Sequence, residues 1–253
     1  MSKIVFITGA SSGIGEACAE VFAREQYQLI LAARRMDRLQ SISDSLKQAH
    51  GVDTQLLQMD VQDKTQVLQA WDSLPESWKN VDVLINNAGL SQGLDPIFEG
   101  DMADWDRMID TNVKGLLYVS RAVLPSMKTR GKGLVVNLGS IAGKEVYPNG
   151  NVYCASKHAV DALTKAMRID LLPYGVKVSA IHPGAVETEF SEVRFKGDKD
   201  RAKAVYKGYE PLHAQDIADG IWFMASRPEH VVIQDMLIMP RAQANGTLFN
   251  KKV

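Results

Sequence analysis

A short apolar run followed by three spaced glycines constrains this 253-residue chain more than any other stretch. Ile4, Val5, Phe6 and Ile7 are consecutive and apolar, which reads as a strand buried on both faces. Thr8-Gly9-Ala10-Ser11-Ser12-Gly13-Ile14-Gly15 comes next, and then a helical pattern through Ala17, Val21 and Phe22. Each glycine has a task in such a strand–loop–helix unit. Gly9 turns the chain sharply, Gly13 lets backbone approach a pyrophosphate, and Gly15 brings the helix close to the sheet. The freed N–H groups from Ser11, Ser12 and Ile14 onward, at the helix N-terminus, can then hold phosphates. Without a ligand, the same loop is a tight strand-to-helix turn.

A second strand is expected over Gln28 to Ala33, ending in Arg34-Arg35. An acid at this place would hold a ribose 2′-hydroxyl and favour NAD. Two guanidiniums stand there instead and suit a 2′-phosphate, so the cofactor expected is NADP. As plain surface residues they would only open the next helix. That helix is expected over 36–50, with Asp37 in its first turn. A third strand covers Val52 to Met59, with Asp60-Val61 at its C-terminal end, the edge where ligands sit in a doubly wound sheet. Asp60 can accept from an adenine amino group, or cap a helix over 63–73; both readings stand. After a Pro-interrupted connection, Val81 to Ile85 forms a fourth strand ending in Asn86-Asn87-Ala88-Gly89. The paired amides can cross-link neighbouring strands, and the small residues leave room for a cofactor. This alternation predicts an α/β fold, a parallel sheet with helices on both faces.

In the second half, 102–129 reads as one long helix with Pro125 bending or shortening it. Asn112 sits mid-helix among apolar residues and calls for a partner. Leu134 to Leu138 is a fifth strand with Gly139-Ser140 at its end, and a loop over 141–150 leads into the next helix. There Tyr153 and Lys157 are four apart, on one helical face. A cation beside a phenol draws its pKa toward working pH, so the two make a proton-transfer pair. Taken alone, the spacing also fits a solvated helix face. Val176 to Ile181 is a sixth strand, running into His182-Pro183-Gly184-Ala185-Val186-Glu187-Thr188. Residues 189–210 interrupt the sheet where a lid would close. A helix over 212–227 and a strand from Val231 to Met239 follow, and Pro240 stops the strand. The tail from Arg241 to Val253 is polar and aperiodic: either disordered, or laid across a neighbouring subunit.

A net charge of -1 gives no reason to expect a nucleic-acid partner. No apolar run reaches membrane-spanning length, and Met1-Ser2-Lys3 leads straight into a strand, so the cytoplasm is expected. Cys18 and Cys154 form no CxxC and read as free thiols of a reducing compartment. None of the five histidines stands at metal-ligand spacing, so no metal is expected.

In this order, Thr8-Gly9-x3-Gly13-x-Gly15, Asn86-Asn87-Ala88-Gly89, Asn112, Ser140, Tyr153-x3-Lys157 and Pro183-Gly184 resemble the short-chain dehydrogenase/reductases over nearly the whole chain. The resemblance implies one Rossmann-like domain over 1–253, with about seven strands. It implies Tyr153 as acid in carbonyl reduction and base in alcohol oxidation, with Lys157 lowering its pKa and bonding the nicotinamide ribose. Ser140 would donate to the substrate oxygen, and Asn112 would hold a water linking Lys157 to solvent. Pro183, Gly184, Val186 and Thr188 would contact the nicotinamide carboxamide, with Asn87, Ala88 and Gly89 lying against the cofactor.

Leu90, Asp104-Trp105, the Met108–Asn112 run, Gly150–Tyr153 and the stretch from Glu189 to Asp198 are similar, more narrowly, to the NADP-dependent 3-hydroxy acid dehydrogenases. That likeness implies a cytoplasmic homotetramer acting on L-serine, L-allo-threonine and 3-hydroxypropionate. A carboxylate substrate wants a cation. Arg194 is the first candidate and Lys196 the second; alternatively Arg194 only steadies the lid. Asn149 is a candidate pocket residue. The rival expectations are a broad NADPH carbonyl reductase and a cofactor-binding regulator without turnover.

Overall fold

The computed structural model describes residues 2–252. Its first strand, β1 (Ile4–Thr8), shows why the apolar run is unbroken. Val5 and Ile7 pack into one hydrophobic cluster, while Ile4 and Phe6 pack into another on the opposite face. The helix α1 (Gly13–Arg24), strand β2 (Gln28–Ala33), helix α2 (Met36–His50) and strand β3 (Thr54–Gln58) follow. Next come α3 (Lys64–Asp72), β4 (Val83–Asn86), α4 (Met102–Ile109), α5 (Leu116–Arg130) and β5 (Gly133–Leu138). The chain continues with α6 (Asn151–Leu171), β6 (Val176–Pro183), the short β7 (Val186–Glu187), α7 (Phe190–Arg194) and α8 (Lys199–Ala204). The short β8 (Leu212–His213), α9 (Ala214–Ala225) and β9 (Asp235–Ile238) complete it.

Seven strands make one parallel sheet in the order β3-β2-β1-β4-β5-β6-β9. The strand order reverses between β1 and β4, which opens a crevice at the C-terminal strand ends. Residues of α1, α2 and α9 fill one face, and residues of α3, α5 and α6 fill the other. The parallel α/β sheet expected from the alternating pattern, and the Rossmann-like arrangement that the family resemblance implied, are therefore the fold observed.

Several local expectations are corrected. β3 and β9 are shorter than Val52–Met59 and Val231–Met239. The helix through 102–129 does run on to Arg130, but it deforms over Asp110–Gly115, where a π turn joins α4 to α5. Pro125 sits inside α5 without ending it. The distortion falls at Asn112 because its amide bonds outside the helix, to both the N–H and the carbonyl of Leu90. Asp63, not Asp60, caps α3, with its Oδ1 accepting from the Thr65 and Gln66 amides. The 189–210 interruption holds α7 and α8, and β7 pairs with β8 at its flanks.

The tail from Arg241 to Lys252 folds onto its own chain. Gln243 is buried, and its Oε1 accepts from the Ala185 amide at 2.8 Å. The Lys252 amide donates to the Gly208 carbonyl at 2.8 Å, and the Phe249 ring lies 5.0 Å from Tyr209. This polar stretch carries no sequence period because its contacts are with the lid and the β6 end, not with a regular partner.

Candidate active site

A cavity of about 580 Å³ runs along the C-terminal strand ends. At one end is the glycine loop. Gly9 and Gly13 have φ of 65° and 56°, a left-handed backbone that glycine adopts freely. A Cβ on Gly15 would lie 2.3 Å from the Gly9 carbonyl oxygen, so the start of α1 is pressed against the loop as expected. Ser12 precedes α1 and its side chain makes no cap hydrogen bond, so the first-turn N–H groups are not satisfied by it. Instead the Ser11 and Ser12 hydroxyls accept from Arg35.

The two amides after β4 do cross-link strands. Asn86 Nδ2 donates to Asn137 Oδ1 on β5 and to Ser120 Oγ, while Asn87 Nδ2 donates to the Thr8 and Gly9 carbonyls. Thr8 Oγ1 accepts from the Asn87 and Ala88 amides, so the turn after β4 is tied to the turn after β1. Ala88 and Gly89 then line the cavity floor. A methyl at Gly89 would sit 3.2 Å from Asn112 Oδ1 and 3.5 Å from Lys157 Nζ.

Ser140, Tyr153 and Lys157 come from the end of β5 and the first turns of α6, and all three are buried and line the cavity. Burial raises the Tyr153 pKa; the Arg194 guanidinium, and then the Ser140 hydroxyl, pull it back down. Lys157 Nζ donates to the Leu138 carbonyl at 2.8 Å, and burial lowers its pKa to about 8. The cation turned toward the Tyr153 ring is therefore Arg194, 5.2 Å from its centroid, and not Lys157. Asn112 lies beside Lys157 rather than on the cavity wall, and its Nδ2 donates to Ser156 Oγ at 3.0 Å.

At the nucleotide edge, Arg34, Arg35, Asp60 and Val61 line the cavity, as do Pro183, Gly184, Val186 and Thr188 farther along it. Arg34 Nη1 stands 3.8 Å from Asp60, whose Oδ1 accepts from the Gln62 amide. Arg35 and Arg38 both pair with Glu189, at 3.1 and 2.6 Å. Arg38 is a basic residue that the strand-end motif alone did not suggest. The Thr111 hydroxyl, in a residue that also lines the cavity, is buried with no hydrogen-bond partner among the described residues.

At the other end α7 brings Phe190 and Arg194 over Tyr153. Arg194 Nε donates to Ser91 Oγ at 3.0 Å and Nη2 donates to the Tyr147 hydroxyl at 2.7 Å. Burial raises the Tyr147 pKa. Among the described residues no carboxylate pairs with Arg194. Lys196 is engaged elsewhere, 2.8 Å from Asp104 and 3.3 Å from Asp101, and does not line the cavity. Asn149 is exposed, with φ of 62°, and borders a small crevice behind Tyr153 and Arg194 instead of the main cavity. Ser91, Tyr147 and Gln243 were missed from sequence, since they stand far apart in the chain and carry no motif.

Asp161, His182 and Asp235 also converge, which their sequence spacing conceals. Lys144 lies 2.6 Å from Asp161 and 3.4 Å from Asp235, so a built-in cation already serves this cluster.

A family model described as short chain dehydrogenase matches residues 3–199, and the chain belongs to that family. It is an oxidoreductase by that membership. It is 42% identical over 242 residues to the NADP-dependent 3-hydroxy acid dehydrogenase YdfG of Salmonella typhi, covering 95% of this chain and 96% of that one. It is 45% identical over 245 residues to sulfoacetaldehyde reductase 2 of Chromohalobacter salexigens, covering 96% of each. Among solved structures it resembles the closed form of a serine dehydrogenase complexed with NADP+, with a TM-score of 0.93 and 39% identity over 99% of this chain and 100% of that one.

Proposed function

We propose that the chain is an NADP-dependent 3-hydroxy acid dehydrogenase, with L-serine, L-allo-threonine and 3-hydroxypropionate within its substrate range. One observation carries the acid: among the described residues, Arg194 presents a guanidinium without a carboxylate partner in the cavity that also holds Tyr153, Ser140 and Lys157. A guanidinium fork suits a carboxylate.

The cavity fits a dinucleotide. Gly9, Ser11, Ser12, Gly13 and Ile14 with the start of α1 suit its phosphates, and Arg34 and Arg35 suit a 2′-phosphate. Asp60 and Val61 border the adenine end. Asn87, Ala88 and Gly89 form the floor, and Pro183, Gly184, Val186 and Thr188 meet the nicotinamide side. The bound nicotinamide would supply or accept hydride. Burial keeps the Tyr153 phenol protonated, the form that gives its proton to a carbonyl oxygen during reduction; in oxidation Tyr153 takes the proton back. Ser140 donates to the same substrate oxygen. Lys157 holds the nicotinamide ribose, and Asn112 shapes the π turn beside it, where a water would lead protons outward. Arg194 orients the substrate carboxylate and favours phenolate in Tyr153.

In this reading the chain is one domain with a lid over 189–210, and the tail braces that lid. No helix among the described residues is long and apolar enough to cross a membrane. The two buried free thiols suit the cytoplasm, and the exposed Phe98 and Met102 suit a homotetramer, which light scattering would check.

The test is initial rate with NADP and NAD against L-serine, L-allo-threonine, 3-hydroxypropionate and a neutral secondary alcohol. Activity with NADP on the acids is expected; activity on the neutral alcohol alone would sink the carboxylate pocket. The sulfoacetaldehyde reductase likeness favours a second reading, because Arg194 could equally pair with a sulfonate. Reduction of sulfoacetaldehyde in competition with malonic semialdehyde separates the two.

A further inference from the structure

We infer that Glu189 is a specificity-determining residue for the cofactor, an internal anion that competes with the 2′-phosphate for Arg35 and Arg38. The inference rests on the NADP reading above. Arg35 spans two parts of the site. Its Nη2 donates to Ser12 Oγ at 2.9 Å and Ser11 Oγ at 3.2 Å, in the glycine loop. Its Nη1 donates to Glu189 Oε2 at 3.1 Å. Arg38, in the first turn of α2, donates from Nη1 to Glu189 Oε1 at 2.6 Å. One carboxylate thus occupies two guanidiniums at the end of β2, where a phosphate monoester would lie.

The electrostatics follow from charge type. Carboxylate and phosphate both accept from guanidinium N–H groups, so they seek the same donors. A phosphate monoester carries about two negative charges near neutral pH, so its approach sets like charges against each other beside Arg35. The unphosphorylated ribose of NAD brings no such conflict. Glu189 therefore taxes only the phosphorylated cofactor. It also stands directly before α7, the segment whose last residue is Arg194.

The experiment is calorimetric titration of the full chain with 2′,5′-ADP and with 5′-ADP, for wild type, Glu189→Gln and Glu189→Ala. Both variants should bind 2′,5′-ADP roughly three- to fivefold more tightly than wild type, with 5′-ADP unchanged. The gain should shrink in high salt. Unchanged or weaker 2′,5′-ADP binding by a folded variant overturns the inference, since Glu189 would then be idle or a clamp. If wild type binds the two nucleotides equally, the NADP reading itself fails.

Discussion

The glycine-loop part of the cavity is shaped mostly by backbone, whereas the substrate end is made of side chains drawn from distant parts of the chain. At the first end, Gly9, Gly13, Ala88 and Gly89 clear space, and Thr8 and Asn87 tie the two loops together. At the second end, Ser91, Tyr147 and Arg194 meet across separations of 103 and 47 residues. Backbone sites tolerate few residues and suit the parts that all dinucleotides share. Side-chain sites are easily altered, which is how one fold serves many substrates.

The largest effect that would sharpen this contrast is at Tyr153. Tyr153→Phe is expected to lower turnover by about 10²–10⁴-fold, while NADPH binding, followed by fluorescence titration, stays as in wild type. Loss of NADPH binding would break the division between the two ends.

Lys157 comes next. Burial holds its folded pKa at about 8, below the ordinary 10.5, so keeping it protonated costs folding energy below pH 8. The unfolded chain binds more protons between those two values, so stability from this group rises with pH across that window. Lys157→Met should therefore melt above wild type at pH 7, by a difference on the order of 3 kcal/mol, and the gap should fade between pH 8 and 10.5. A constant gap would mean that Lys157 is not the titrating group.

Arg194→Ala should raise KM for 3-hydroxy acids by about 10- to 100-fold, the range for a hydrogen bond to a charged group, and leave NADPH affinity alone. On the cradle side, Gly15→Ala forces a methyl against the Gly9 carbonyl, and should lower stability by about 1–3 kcal/mol and weaken nucleotide binding. Equal nucleotide affinity with the methyl in place would show that the loop is not a tight cradle. The smallest effect belongs to Tyr147→Phe, which removes one hydrogen bond to Arg194 and should raise acid KM by about two- to tenfold. An unchanged KM would mean that Ser91 alone orients the guanidinium.

The Asn112 distortion illustrates where local rules stopped. An asparagine among apolar residues announced an unmet partner, but Pro125 looked the better place for a bend. Leu90, brought alongside by the fold, supplied both hydrogen bonds and decided the matter. Lys196 shows the same limit. Its charge and position in the lid made it eligible for a carboxylate, yet Asp101 and Asp104 had already claimed it.

From sequence alone came the seven-stranded parallel sheet, the glycine loop and the placing of Tyr153 and Lys157 one turn apart on one helix, because each depends on residue type repeated at short range. Only the tertiary structure decided which cation faces Tyr153, what occupies Arg35 and Arg38, and where the polar tail lies. Those outcomes depend on which distant side chains share one low-dielectric space, where burial and nearby charge set each group's partner, and no local spacing encodes that.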